Sequence, residues 1–236
     1  MKDIMEIKDK YKGRSAFIAG CGVSLNDYSE EQIKEEIKDD VVLCIKQSQL
    51  KFKDECDFHF INRNNLIQYS HNPKTQIIAS HSHLSKVCTN PISYIITEVY
   101  NGPGTENQSV AYNKDFSVNE IKTNNQQNLL GPGIMYGLVI PFVVHCGFSH
   151  IKFLGWDYKV SKDENVLSHF YNNKERENFE NPANPLFGGK SPSGEYQMVI
   201  KSTDELYRYL SSKGITSEIL TDKSLMSDLF PRRILG

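Results

Sequence analysis

Ala16-Phe17-Ile18-Ala19-Gly20-Cys21-Gly22-Val23-Ser24-Leu25 is the stretch on which the reading of this chain turns. Its apolar run stops at two glycines that bracket a cysteine, and a hydroxyl follows at Ser24. A buried parallel strand passes in this way into a loop that can cradle a phosphate, because glycines let the backbone turn tightly and aim N–H groups at an anion. The dinucleotide fingerprint G-x-G-x-x-G is not met, since Leu25 stands where its third glycine belongs. On spacing alone the stretch reads equally as a nucleotide site and as a tight turn that binds nothing.

The bulk properties narrow the field. A chain of 236 residues is expected to form one domain with a sizeable core and room for a lid. Its 27 Lys and Arg against 29 Asp and Glu give no electrostatic case for nucleic acid as a partner. The five cysteines are scattered and form no C-x-x-C, so neither a zinc site nor a redox pair is expected. Met1 to Gly13 is charged and amphipathic, unlike a signal peptide, and Ile134 to Val144 is too short an apolar run to span a bilayer. The expectation is a cytoplasmic protein, with peripheral contact to the inner membrane if its acceptor is lipid-linked.

Outward from the glycine turn, the pattern alternates between strands and helices. Met1 to Tyr11 reads as a short leading helix, and Ser29 with Gln32 forms a capping box for a helix reaching about Lys38. Val41 to Ile45, Asp57 to Ile61 and Gln76 to Ser80 read as strands, with Asn62-Arg63-Asn64-Asn65 at the end of the second of these. Those asparagines are either turn formers or ligands at a strand's carboxyl end. His81-Ser82-His83 has no third metal ligand nearby and reads as a polar loop. Residues 99 to 128 form a weakly patterned loop or peripheral element.

Gly131-Pro132-Gly133 opens a buried helix, Ile134 to His145, bent at Pro141 and closed by Gly147. Ile151 to Leu154 then returns as a central strand, followed by Gly155-Trp156-Asp157-Tyr158. Residues 159 to 190 read as a lid or irregular insertion containing Ser168-His169-Phe170-Tyr171. Gly188-Gly189-Lys190-Ser191 fails the P-loop pattern at Asn184. Ser191-Pro192 is expected to start a helix running to Gly214, and Thr216 to Leu220 is a last strand. A final short helix is expected from Ser224-Leu225. The fold class expected from this order is α/β: a Rossmann-like, doubly wound, mostly parallel sheet with helices on both faces.

Three of these pieces resemble the bacterial sialyltransferases of glycosyltransferase family 42, related to motility-associated-factor and pterin-diphosphokinase-like proteins. They are Phe17 to Leu25, Gly133 through Asp157, and the closing segment of Thr203–Leu210, Thr216–Leu220 and Ser224-Leu225. The resemblance is collinear over most of the chain. It implies an inverting, metal-independent transferase that moves a nonulosonic acid such as sialic acid from a CMP-activated donor to a glycan acceptor. A place in lipopolysaccharide or capsule biosynthesis follows from that implication, and a homo-oligomer is compatible with it.

The resemblance puts the nucleotide against Gly20, Cys21, Gly22, Ser24, Asn62, Gly131, Gly133, Trp156, Asp157 and Tyr171, with Ser24 donating a hydrogen bond. Asn62 matches the family's asparagine after the third strand. Cys21 stands where the family carries an asparagine, Pro132 where it carries a serine, and Lys159 where it carries a phosphate-binding tyrosine, with Tyr158 one place earlier. Tyr158 and Lys159 are the expected groups on the leaving phosphate. The family's Gly-His-Ser is absent, so His169, the histidine of the segment after Asp157, is the candidate general base. Two other readings remain open. One is a pterin-type diphosphokinase using ATP and Mg²⁺, with Asp157 as its obvious carboxylate. The other is a degenerate nucleotide-binding protein without activity.

Overall fold

The computed structural model describes residues 1–62, 67–96, 98–100, 120–121, 129–131, 134–157, 170–171 and 193–236. Seven strands form one all-parallel sheet: β1 (Ser15–Ala19), β2 (Val41–Ile45), β3 (Phe58–Ile61), β4 (Gln76–Ala79), β5 (Ile92–Ile95), β8 (His150–Leu154) and β9 (Thr216–Ile219). Their order is β5-β4-β3-β2-β1-β8-β9. The chain works outward from β1 in one direction, then jumps back to place β8 on its other side. This is the Rossmann-like α/β arrangement, and the reversal makes a switch point between β1 and β8, where such sheets bind ligands.

β1 and β2 are buried along nearly their whole length, so their sequences run apolar without alternation. Two faces of the sheet carry separate cores. Ile18, Leu43, Phe58 and Phe153 pack with α2 (Ile140–Cys146) and with Leu206 and Leu210 of α3 (Ser193–Ser212). Phe17, Ala19, Cys44 and Leu154 pack on the other side with Ile33 and Ile37 of α1 (Glu30–Ile37). Each fully buried side chain of this size contributes about 1.5–3 kcal/mol, so both faces must be covered for the sheet to persist.

Local signals explain the element ends. Ser29 accepts from the Gln32 N–H at 3.2 Å while Gln32 Oε1 accepts from the Ser29 N–H at 2.9 Å, both arms of the expected capping box. Gly147 takes a left-handed φ of +77° after α2 and caps Val143 and Val144.

Three expectations need correction, and one strand of the sheet was not anticipated. The leading helix is a single turn, Ile4–Ile7, because Asp9 adopts a left-handed φ of +56°. The buried helix begins as a wider turn over Met135–Val139, with Ile140 N–H reaching Met135 O, before becoming α-helical. Pro141 supplies no N–H to the preceding turn, which opens the register there. Residues 221–236 contain no helix, and Ser224-Leu225 lies instead in an irregular segment. β5 is an edge strand not expected from the sequence. At the two ends of the weakly patterned stretch, β6 (Glu98–Tyr100) and β7 (Leu129–Gly131) pair in parallel as a separate small sheet.

Candidate functional site

At the carboxyl end of β1 the chain meets the turn after β8, and the contact is backbone on backbone. Gly20 N–H donates to Leu154 O at 2.8 Å and Gly22 N–H to Gly155 O at 2.6 Å. A Cβ on Gly20 would lie 2.2 Å from Gly155 O, and one on Gly22 would lie 2.3 Å from Asp157 Oδ2. Gly155 itself has φ +75°, where other residues are strained. These glycines are required by packing as well as by turning.

Asp157 locks the arrangement. Its Oδ2 accepts from the Ser24 N–H at 2.8 Å and its Oδ1 from the Ser24 hydroxyl at 2.6 Å, while the Gly155 N–H donates to Ser24 Oγ at 3.1 Å. The ring is sealed: Ser24 is 0% and Asp157 2% exposed. Burial pushes the Asp157 carboxyl up from its ordinary range, and the Ser24 bonds work against that shift. The loop therefore arrives preorganised, held by a side chain 133 positions away.

The structure brings several expected residues to this edge and gives some of them other uses. Ser24 was expected to donate to a nucleotide; its hydroxyl proton is spent on Asp157. Trp156 was expected to face the ligand; it is buried, packs on Phe153 and Tyr136, and its carbonyl accepts from Ser224 Oγ at 2.8 Å. Cys21 donates its thiol to Ile45 O at 3.2 Å, and burial raises its pKa to about 11, so it stays a neutral thiol. Asn62 lies just past β3, buried at the same carboxyl edge. Gly131 is in β7 opposite Tyr100. From the expected lid, Phe170 donates its N–H to Cys21 O at 3.0 Å, and its carbonyl accepts from Asn26 Nδ2 at 2.7 Å. The neighbouring Tyr171 is buried. This short piece is docked directly on the glycine loop. Gly133, Tyr158, Lys159 and His169 lie outside the described residues, as does the rest of 159–190.

The loop after β2 was not anticipated as part of the site. Ser48 Oγ accepts from the Ile45 N–H at 2.8 Å and donates to Ala19 O at 2.7 Å, and Lys51 donates its ammonium to Leu25 O. Behind it, His59 and His71 form a buried pair at 2.8 Å, with His59 Nε2 donating to Lys46 O at 2.8 Å. A backbone carbonyl can only accept, so His59 carries its proton on Nε2 and accepts at Nδ1 from His71. Burial, followed by the neighbouring His71, lowers the His59 pKa to about 3. Burial and Lys53 lower that of His71 to about 4.

Among the described residues, no group of three or more His, Cys, Asp or Glu could hold a metal ion, and no helix is long and apolar enough to cross a membrane. A cavity of about 420 Å³ lies at the opposite, amino end of β2 to β4, between Arg14, Lys34, Asp57 and Lys74. Its mixed charges are far from the switch point.

No protein-family model matches the chain, and no curated protein matches it. Among solved structures, the MAf glycosyltransferase from Magnetospirillum magneticum AMB-1 is 13% identical, with a TM-score of 0.49. That alignment covers 99% of this chain and 37% of the other, so the chain spans little more than a third of that protein's length.

Proposed function

We propose that this chain is a glycosyltransferase that binds the nucleotide of an activated sugar over the glycine loop at the β1–β8 switch point. The observation that carries the reading is the sealed Ser24–Asp157–Gly155 ring, which fixes the Gly20-Cys21-Gly22 turn at the carboxyl edge of the central strands. A rigidly held turn at the switch point lies where open parallel sheets bind their ligands.

The finer reading follows the family resemblance. The donor is a CMP-activated nonulosonic acid such as sialic acid, the acceptor a glycan hydroxyl, and the transfer inverting and metal-independent. The sugar passes through an oxocarbenium-like state as its bond to the phosphate breaks. Tyr158 and Lys159 stabilise the leaving phosphate, and His169 takes the acceptor's proton. Asn62 and Tyr171 border the nucleotide at the same edge. The protein acts in the cytoplasm, where a lipid-linked acceptor would bring it to the inner face of the membrane.

The competing diphosphokinase reading needs carboxylates for Mg²⁺ beside the ATP phosphates. Asp157 is the carboxylate it would use, and both of its oxygens are engaged by Ser24 at a 2% exposed position. That engagement favours sugar transfer. The test is thermal stabilisation by CMP against ATP with Mg²⁺, followed by release of CMP from CMP-sialic acid. Stabilisation by CMP is expected, with turnover lost in His169→Ala. Stabilisation by ATP with Mg²⁺ alone would overturn the proposal, and full turnover in the variant would remove His169 as base.

A further inference from the structure

Three lysines are half-buried among the described residues. Lys152 ion-pairs with Glu36 at 2.7 Å and Asp40 at 3.0 Å, and Lys51 donates to the Leu25 carbonyl. Among the described residues, Lys46 has neither a carboxylate nor a carbonyl on its ammonium. A lysine stem can lie along the protein with its ammonium in water, which leaves the Lys46 ammonium available to a ligand.

The backbone at Lys46 is unusual too. Its φ is +50°, a conformation that lysine rarely adopts outside a constrained site. The constraint is visible. His59 holds the Lys46 carbonyl at 2.8 Å and is itself backed by His71. On either side, the Cys21 thiol grips Ile45 O and Ser48 Oγ grips Ala19 O. Gln47, Ser48 and Gln49 are buried, which leaves Lys46 as the turn's charge at the carboxyl edge. That charge is close to the glycine loop: it is the largest influence holding down the Cys21 thiol against the effect of burial.

We propose that Lys46 binds the phosphate of the ligand seated over the glycine loop. The assignment rests on the nucleotide reading above and deepens it by naming the cation. As the sugar–phosphate bond breaks, the electron pair stays on the phosphate oxygen, and a fixed ammonium beside it needs no reorganisation to meet that charge. A strained backbone is the cost of aiming the side chain there.

The experiment compares CMP with cytidine by calorimetry on wild type, Lys46→Gln and Lys46→Gly. It also follows the Lys46 side-chain resonances on adding inorganic phosphate. The expected result is CMP binding weakened about tenfold or more in both variants, with cytidine unchanged, as for loss of a charged hydrogen bond. Lys46→Gly should also raise Tm, because glycine accepts a positive φ. Unchanged CMP affinity in the variants, or an equal loss for cytidine, overturns the assignment. If no nucleoside monophosphate binds wild type while phosphate still shifts Lys46, the nucleotide reading falls and Lys46 stands. If neither ligand acts on wild type, both fall.

Discussion

The carboxyl end of β8 and its α1-side flank are secured by opposite means. At the end, Gly155 to Asp157 grips the glycine loop through backbone approaches and a sealed ring around one buried carboxylate. On the flank, His150 and Lys152 enter a network of charges: Lys152 with Glu36 and Asp40, His150 with Glu218 at 3.2 Å, and Arg233 with Glu36 and Glu218 at 2.7 and 2.9 Å. The reason is coverage. Ile33 and Ile37 of α1 join Phe17 and Val42 of β1 and β2 in one core. β9 is bordered instead by the C-terminal tail, where Arg233 N–H donates to Ile219 O at 3.0 Å. Long charged side chains can fill such a border and adjust to it; the glycine contact leaves no room to adjust.

The sharpest way to break the contrast is one methyl group. In Gly20→Ala the new Cβ would sit 2.2 Å from Gly155 O, so two backbones must separate. The expected cost is about 3 kcal/mol or more, at or beyond the upper end of ordinary overpacking, read by urea denaturation. Gly214→Ala is the control, since its φ is +73° but nothing lies within 4 Å of the added atom. It should cost only about 1 kcal/mol of backbone strain. Equal losses would mean that conformation, and not close approach, explains Gly20.

The same contrast governs what the sequence disclosed. The apolar run, Gly20 and Gly22 were legible because sheet and turn leave local marks. So were the Ser29–Gln32 box and the Gly147 cap. The uses of the loop's side chains were not. Ser24 looks like a free hydroxyl until Asp157 arrives from 133 positions away, and nothing local marks that pairing. His59 and His71 fit no motif, and the positive φ of Lys46 falls on a residue type that gives no turn signal. The missed β5 is an edge strand interrupted by Ser93 and half-buried over its first two residues, so it lacks the continuous apolar run of a central strand. Pro141 did announce a disturbance, and the wider turn over Met135–Val139 lies directly before it.

Acidity separates the ionic flank from the buried histidine pair behind the loop after β2 by the pH at which each fails. His59 has a pKa of about 3 in the fold against 6.5 when free, and His71 about 4. Groups with depressed histidine values bind protons preferentially in the unfolded chain, so stability is complete above about pH 6.5 and declines as pH falls toward the folded values. One such proton removes about 1.4 kcal/mol per pH unit. With two such protons, the expected loss between pH 6.5 and 5 is about 3 kcal/mol, measured as a falling urea midpoint with unchanged slope. A midpoint that stays flat to pH 5 would show that the pair is not buried neutral as described.

The ionic flank should yield later and less. Arg233 bonds, then Lys152, hold the Glu36 carboxyl down to about 2 from 4.5. A depressed carboxylate stabilises above its unfolded pKa and loses that stabilisation as pH falls through the folded one, so this contribution persists where the histidines have already failed. The Arg233 side chain is 40% exposed, so water and salt screen it. Arg233→Ala should cost about 1 kcal/mol at pH 7 in low salt, less in high salt, and close to nothing by about pH 2, with Lys152 still paired to Glu36. Denaturation of wild type and variant at pH 7 and pH 2, with and without added salt, checks each part. A loss as large as that of Gly20→Ala, insensitive to salt, would mean the tail is fixed as rigidly as the glycine loop and would dissolve the distinction between the two regions.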